Sequence, residues 1–246
     1  TKKYLKRLSG KMNSQNNMNK KLSEIFSKYD TIVVVGGGTG WHIQPILNIW
    51  EEIKNKKKLI WIGAQSTNEE IEAKKAGIEF KAISTLKLST THSPKLLLYP
   101  FIISKWFIES RKILQEIWNT ACVFSKWGPG SVAIWLAAWS LNIPLYIHES
   151  DTIPGRSSRI LGKIANKVLL GFEITKKYFH PKKSEVVWQI LHPYFENNWK
   201  NLPKWESTLS WNTQKTHILV ICWSQWAKAI FKAISEQFEA DTSYEW

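Results

Sequence analysis

From Thr31 onward, short apolar runs alternate with amphipathic stretches, and this alternation constrains the fold more than any other feature of the chain. Thr31–Gly36 (TIVVVG) is a β-branched run, followed by Gly-rich punctuation and an amphipathic stretch to about Lys54. Leu59–Gly63 predicts a second strand, Asn68–Ala76 a helix that stops at Gly77, and Phe80–Ser84 a third strand. Pro94–Trp118 reads as a long helix opened by Pro94; Pro100 should kink it or delay its start. Ala121–Ser125, Leu145–His148, Val168–Leu170 and Glu185–Val187 predict further strands, with a helix over Ser131–Leu141. Strands that alternate with helices form right-handed βαβ units, so an α/β fold with a mainly parallel sheet is expected.

A polar stretch near Asn197–Lys215 interrupts this pattern, and a new strand and helix follow at His217–Cys222 and about Ala227–Phe238. One βα unit cannot bury both its faces, which leads to the expectation that a second α/β domain continues past the given C-terminus. The first residue is not Met, so the front end is expected to be incomplete as well. The expected organisation is a basic leader over 1–28, an α/β domain over 29–200, and a linker plus the start of a second domain over 201–246.

Charge is unevenly spread. The chain carries 34 Lys+Arg against 20 Asp+Glu, a net +14. The leader holds Lys2, Lys3, Lys6, Arg7, Lys11, Lys20, Lys21 and Lys28 against Glu24 alone, and is expected to be disordered. Such a balance suits a phosphate-bearing partner or an anionic membrane surface. The two cysteines, Cys122 and Cys222, each lie in an apolar run. They exclude a disulfide framework, offer no metal-ligand spacing, and read as buried thiols in a reducing cytoplasm. No apolar run reaches the ~18 residues of a membrane helix.

Three loops follow strands and precede helices. Gly36-Gly37-Gly38-Thr39-Gly40-Trp41-His42 would let a backbone approach an anion at a helix N-terminus. It has no Gly-Lys-Ser/Thr ending, which excludes a Walker A loop. Position 41 is not glycine and the second strand ends without a carboxylate, which disfavours a dinucleotide site. Ser125–Gly130 (SKWGPG) and Cys222–Trp226 (CWSQW) are the other two. His148-Glu149-Ser150-Asp151 closes a further strand; Asp151 there reads either as a site residue or as a helix cap ahead of Pro154 and Gly155. A ligand spread over strand C-terminal edges is expected.

In order along the chain, GGGTGWHI-P, KWGPGS, LAAWSLNIP, HESD--PG, VVW-ILHP and CWSQWA resemble the MurG family from about Thr31 to Ala227. The family's UDP-N-acetylglucosamine transferases convert lipid I to lipid II in peptidoglycan synthesis. The resemblance implies two Rossmann-like domains of GT-B type, with the second represented here only by its start. It implies UDP-N-acetylglucosamine as donor, an undecaprenyl-pyrophosphoryl acceptor, no metal or other cofactor, and peripheral attachment to the cytoplasmic face of the membrane. Lacking most of the donor domain, the 246-residue chain is itself expected to be inactive. Two rivals are another GT-B nucleotide-sugar transferase acting on a lipid, and a non-catalytic basic α/β module that binds nucleic acid through the leader.

The departures share one character: Trp41, Trp127, Trp135, Trp188, Trp223 and Trp226 fall where the family pattern has glycine. With 15 Trp against 12 Gly in the chain, the simplest account is translational, UGA codons that mean glycine having been rendered as Trp. UGG codons at 41, 127, 188, 223 and 226 would refute it. Ile190 and His192 likewise replace the proline and arginine of the family's GNPVR.

Residue by residue, the resemblance places Thr39, Gly40, Trp41 and Gly128 in substrate-binding loops, Asp151 and Ser224 at the donor, and Gln225 and His192 beside them. His42 is the first candidate for the base that takes the acceptor hydroxyl proton, with a structural helix-end histidine as the alternative reading; Glu149 is the second candidate. Leu96–Ile108 reads either as a core-facing helix or, as the family would have it, as a membrane patch that includes Leu97, Phe101, Lys105 and Trp106.

Overall fold

The computed structural model describes residues 16–84, 99–127, 130–192, 232–234 and 236. By its contacts the chain divides into two compact units, Thr1–Asn197 and Asn198–Trp246. In the second unit the described residues 232–234 and 236 are helical. The strand expected at His217–Cys222 lies outside the described residues, as do most of the helix after it and Cys222 itself.

In the first unit the elements run α1 (Asn16–Phe26), β1 (Thr31–Gly36), α2 (Gly40–Ile53), β2 (Lys58–Ala64), α3 (Asn68–Lys75), β3 (Glu79–Ile83), α4 (Tyr99–Gln115), β4 (Ala121–Trp127), α5 (Ser131–Ser140), β5 (Leu145–Glu149), α6 (Arg156–Leu161), β6 (Lys167–Leu170), a 3-10 helix (Glu173–Tyr178) and β7 (Ser184–Val186). The seven strands form one sheet, ordered β3-β2-β1-β4-β5-β6-β7, and every pair is parallel. The βα alternation read from the sequence therefore becomes a sheet wound in both directions from β1. Proline lacks an N–H, but the first turn of a helix does not use that donor. Accordingly α4 begins at Tyr99, with Pro100 in its first turn.

The sheet is covered on both faces. One face packs Ile32, Val34, Trp61, Phe124 and Tyr146 against α1 and α2; the other packs Val33, Val35, Val123 and Ile147 against Leu114 of α4 and Ile134 and Trp135 of α5. Cys122 lies wholly in the first layer, and burial pushes its thiol far above the ordinary cysteine range, so it stays protonated and inert.

The expectation of a disordered leader over 1–28 fails from Asn16 onward. α1 buries Leu22, Ile25 and Phe26, and the Phe26 ring meets Phe124 edge-on at 5.6 Å. Lys21 also reaches Glu185 at 3.2 Å. The density of cations hid an apolar stripe at helical spacing, and that stripe packs into the first core layer.

Candidate functional site at the switch of strand order

β1 pairs with β2 on one side and β4 on the other, so the direction of winding reverses between β1 and β4. Connections leave such a point to opposite faces and open a crevice at the strand C-termini. The Gly-rich loop, β4's end and the His148–Asp151 segment all emerge at that edge.

Glycine at 36 is required by close approach: a Cβ there would sit 2.8 Å from Ile46 of α2 and 3.2 Å from the Cβ of Lys126. A Cβ at Gly37 would run into the Glu69 carboxyl group, and the Gly38 N–H donates to Glu69 at 3.1 Å. Glu69, buried at the start of α3, thus supplies the first anion at this loop from within the protein. Sequence reasoning missed it, because a Glu in an apolar-poor helix carries no local sign of facing a glycine loop.

Beyond Gly38 the chain turns into α2 with Thr39 as its N-cap, and the Thr39 carbonyl accepts the N–H groups of His42 and Ile43. The first N–H groups of a helix have no partner in the preceding turn and mark its positive end. Trp41 stands there and donates its indole N–H to Ser150 Oγ at 3.2 Å. Its indole therefore spans from the glycine loop to the His148–Asp151 segment.

His42 packs its ring 5.9 Å from that of Trp127, and its Nδ1 is buried with no hydrogen-bond partner. Burial, followed by the Lys126 charge, holds its pKa below the ordinary histidine value, so it is a neutral imidazole at pH 7. Glu149, at the end of β5, accepts the Asp151 N–H at 3.0 Å. Burial raises its pKa above the ordinary carboxylate value. Asp151 itself is exposed, and its carbonyl accepts the Thr175 hydroxyl at 3.0 Å. It does not cap α6, whose N-cap is Gly155.

The structure thus brings Thr39, Gly40, Trp41, His42, Glu149 and Asp151 to one sheet edge. His192 is exposed and lies past β7; its N–H is taken by the buried Asn48 amide oxygen at 3.1 Å in the orientation that satisfies that side chain. Gly128, Ser224, Gln225, Trp223, Trp226 and Leu97 lie outside the described residues.

The apolar stretch at α4 divides. Phe101 is 75% exposed and Ile108 52% exposed. Lys105 and Lys112 are also exposed, so 101, 105, 108 and 112 form one outward stripe at helical spacing. Trp106 is a correction to the expected patch: it is only 6% exposed, because at helical spacing it falls on a different face from the outward stripe of 101, 105, 108 and 112.

Backbone geometry bears on the tryptophans. Trp127 and Trp188 both have φ of +71°, a left-handed conformation that glycine adopts freely and bulky L-residues do not. Trp135 is helical and fully buried, with its indole N–H unpartnered. Glycine should accordingly outperform alanine at 127 and 188 by about 1 kcal/mol in urea unfolding, against the usual preference. At 135 the order should reverse by about 1 kcal/mol, since glycine is the poorer helix former. Alanine equal to or better than glycine at both 127 and 188 would show that neither site is strained.

The N-terminal domain of glycosyltransferase family 28 matches residues 32–170. Two curated relatives are each named UDP-N-acetylglucosamine–N-acetylmuramyl-(pentapeptide) pyrophosphoryl-undecaprenol N-acetylglucosamine transferase. That of Staphylococcus haemolyticus is 32% identical over 212 residues, 85% of this chain and 59% of its own length. That of Prochlorococcus marinus is 31% identical over 215 residues, 87% of this chain and 56% of its own length. The chain thus spans little more than half the length of these relatives. Among solved structures, MurG of Acinetobacter baumannii superposes with a TM-score of 0.54 at 23% identity, over 64% of this chain and 44% of that one, a likeness of fold.

Proposed function

The chain belongs to glycosyltransferase family 28, whose N-terminal domain covers more than half of it, and from that premise we propose that it is the acceptor-side part of an N-acetylglucosaminyltransferase. The donor is UDP-N-acetylglucosamine and the acceptor is the undecaprenyl-pyrophosphoryl-linked N-acetylmuramoyl peptide, the substrates for which the relatives are named. The observation that carries this reading is the meeting of the glycine loop, neutral His42, and Glu149 with Asp151 at the strand-order switch.

The chemistry is a single inverting displacement. The acceptor hydroxyl oxygen forms a bond to the donor anomeric carbon as the bond from that carbon to the UDP β-phosphate oxygen breaks. The hydroxyl proton passes to His42 or Glu149, and UDP leaves with the bonding pair. Charge on the leaving diphosphate is met by N–H dipoles at the strand edge, with no resident cofactor. The outward stripe of Phe101, Lys105, Ile108 and Lys112 suits a peripheral seat on an anionic membrane, apolar contact and attraction acting together. No helix among the described residues is long and apolar enough to cross one.

The test is UDP release by the full-length protein with UDP-N-acetylglucosamine and a short-chain analogue of the lipid acceptor. Release that depends on both substrates is expected. Acceptor-independent hydrolysis, or salt-sensitive RNA retention on filters without turnover, would overturn the reading.

A further inference from the structure

Lys126 is out of place in this core. It lies near the end of β4, where Ser125 pairs with Val35 and Trp127 with Gly36, so Lys126 is the extra residue of a bulge in the ladder. Bulges re-aim side chains and recur beside functional sites. The Cβ of Lys126 faces the position a Cβ on Gly36 would take, on the same face as Ile46 of α2. The residue is 2% exposed. Among the described residues no carboxylate stands within ion-pair distance of its ammonium; Glu149 and Asp151 attract it only from farther off. Its stem is buried, yet its Nζ is not among the enclosed polar atoms that lack a partner, so the ammonium reaches the open strand edge; nothing in the packing requires a cation here.

We propose that Lys126 is the cationic group of the strand-edge site and binds a diphosphate group of the substrate, together with the first N–H groups of α2. The proposal rests on the transferase reading and deepens it. Two features point the same way. α2 is a 14-residue helix whose positive end opens at this edge, and the buried Nδ1 atoms of His42 and His148 lack partners beside the lysine. Glu69 already holds the Gly38 N–H, so an arriving anion meets donors further along the loop and needs a counter-charge against Glu69, Glu149 and Asp151. Neutral His42 and His148 supply none. Lys126 supplies it.

The groups facing the ammonium are therefore His42 from α2, His148 and Glu149 from β5, and Asp151 from the segment after it. Burial lowers the Lys126 pKa to about 8, so its charge is present below that pH and lost above it. Binding should fall in step.

Three probes would be titrated into the full-length protein by calorimetry: inorganic pyrophosphate, UDP, and a short-chain prenyl diphosphate. Wild type should bind pyrophosphate at pH 7 and weaken above about pH 8. Lys126→Met should bind it roughly 10- to 100-fold more weakly and without that pH dependence. Lys126→Arg should retain binding and keep it through pH 9, because guanidinium stays charged; it also serves if the methionine variant does not fold. Lysine dependence for the prenyl diphosphate but not UDP assigns the acceptor as its source, and the converse assigns the donor. Equal pyrophosphate affinity in wild type and Lys126→Met, or no binding by wild type, overturns the proposal. UDP release that survives in Lys126→Met would overturn it while leaving the transferase reading intact.

Discussion

In the full-length protein, His42→Ala should lower turnover by roughly 10²–10⁴-fold, the range by which a positioned general base contributes. The expectation rests on two features of the site. His42 sits in the first turn of α2 at the strand edge, and burial with the nearby Lys126 charge keeps its imidazole neutral at pH 7, ready to accept a proton. A base whose pKa is lowered gives activity that is complete above that pKa and lost as pH falls through it, so the acid limb of kcat/KM should lie below the ordinary histidine value of about 6.5. The limb alone does not distinguish His42 from Glu149. One pKa is pushed down and the other up, toward the same interval. The variants do distinguish them. Glu149→Gln keeps an oxygen to accept the Asp151 N–H, so the segment stays in place while the base is removed. A drop of less than tenfold in His42→Ala with a large one in Glu149→Gln would transfer the role to Glu149.

Phe26→Ala should destabilise the first unit by about 3–5 kcal/mol, the usual cost of emptying a fully packed phenylalanine site. The ring is buried and meets Phe124 at the middle of the sheet, so the cavity would open beneath β4. Deleting residues 1–28 removes Leu22 and Ile25 as well. At about 1.5–3 kcal/mol for each buried apolar side chain, that loss approaches the ~5–15 kcal/mol stability of a typical domain. The cooperative unfolding transition should then be lost in calorimetry. A deletion variant that unfolds cooperatively near the wild-type midpoint would show α1 to be an ornament on the surface.

Where the sequence was misleading, a local signal was outweighed by a distant one. The cations of residues 1–28 concealed α1, because composition averages over a segment and cannot see that Leu22, Ile25 and Phe26 share a face. Trp106 read as one of an apolar run, yet only the placement of α4 decided that it turns inward while Phe101 turns outward. Glu69 carried no motif at all, and Lys126 stood within the SKWGPG loop without being marked out from its neighbours. Their importance comes from a bulge and from a helix–loop contact, and neither leaves a pattern in neighbouring residues.

What the sequence determined by itself is the βα alternation, the parallel sheet it requires, and the loops at the strand ends. These depend on periodicity and glycine punctuation, which are properties of consecutive residues. The glycines at 36 and 37 were legible as a turn. Only the tertiary structure decided the order of the strands, and with it which loops share an edge. That order set His42, Lys126, Glu149 and Asp151 close enough to act on one another, since a charge is felt through space and through the burial around it.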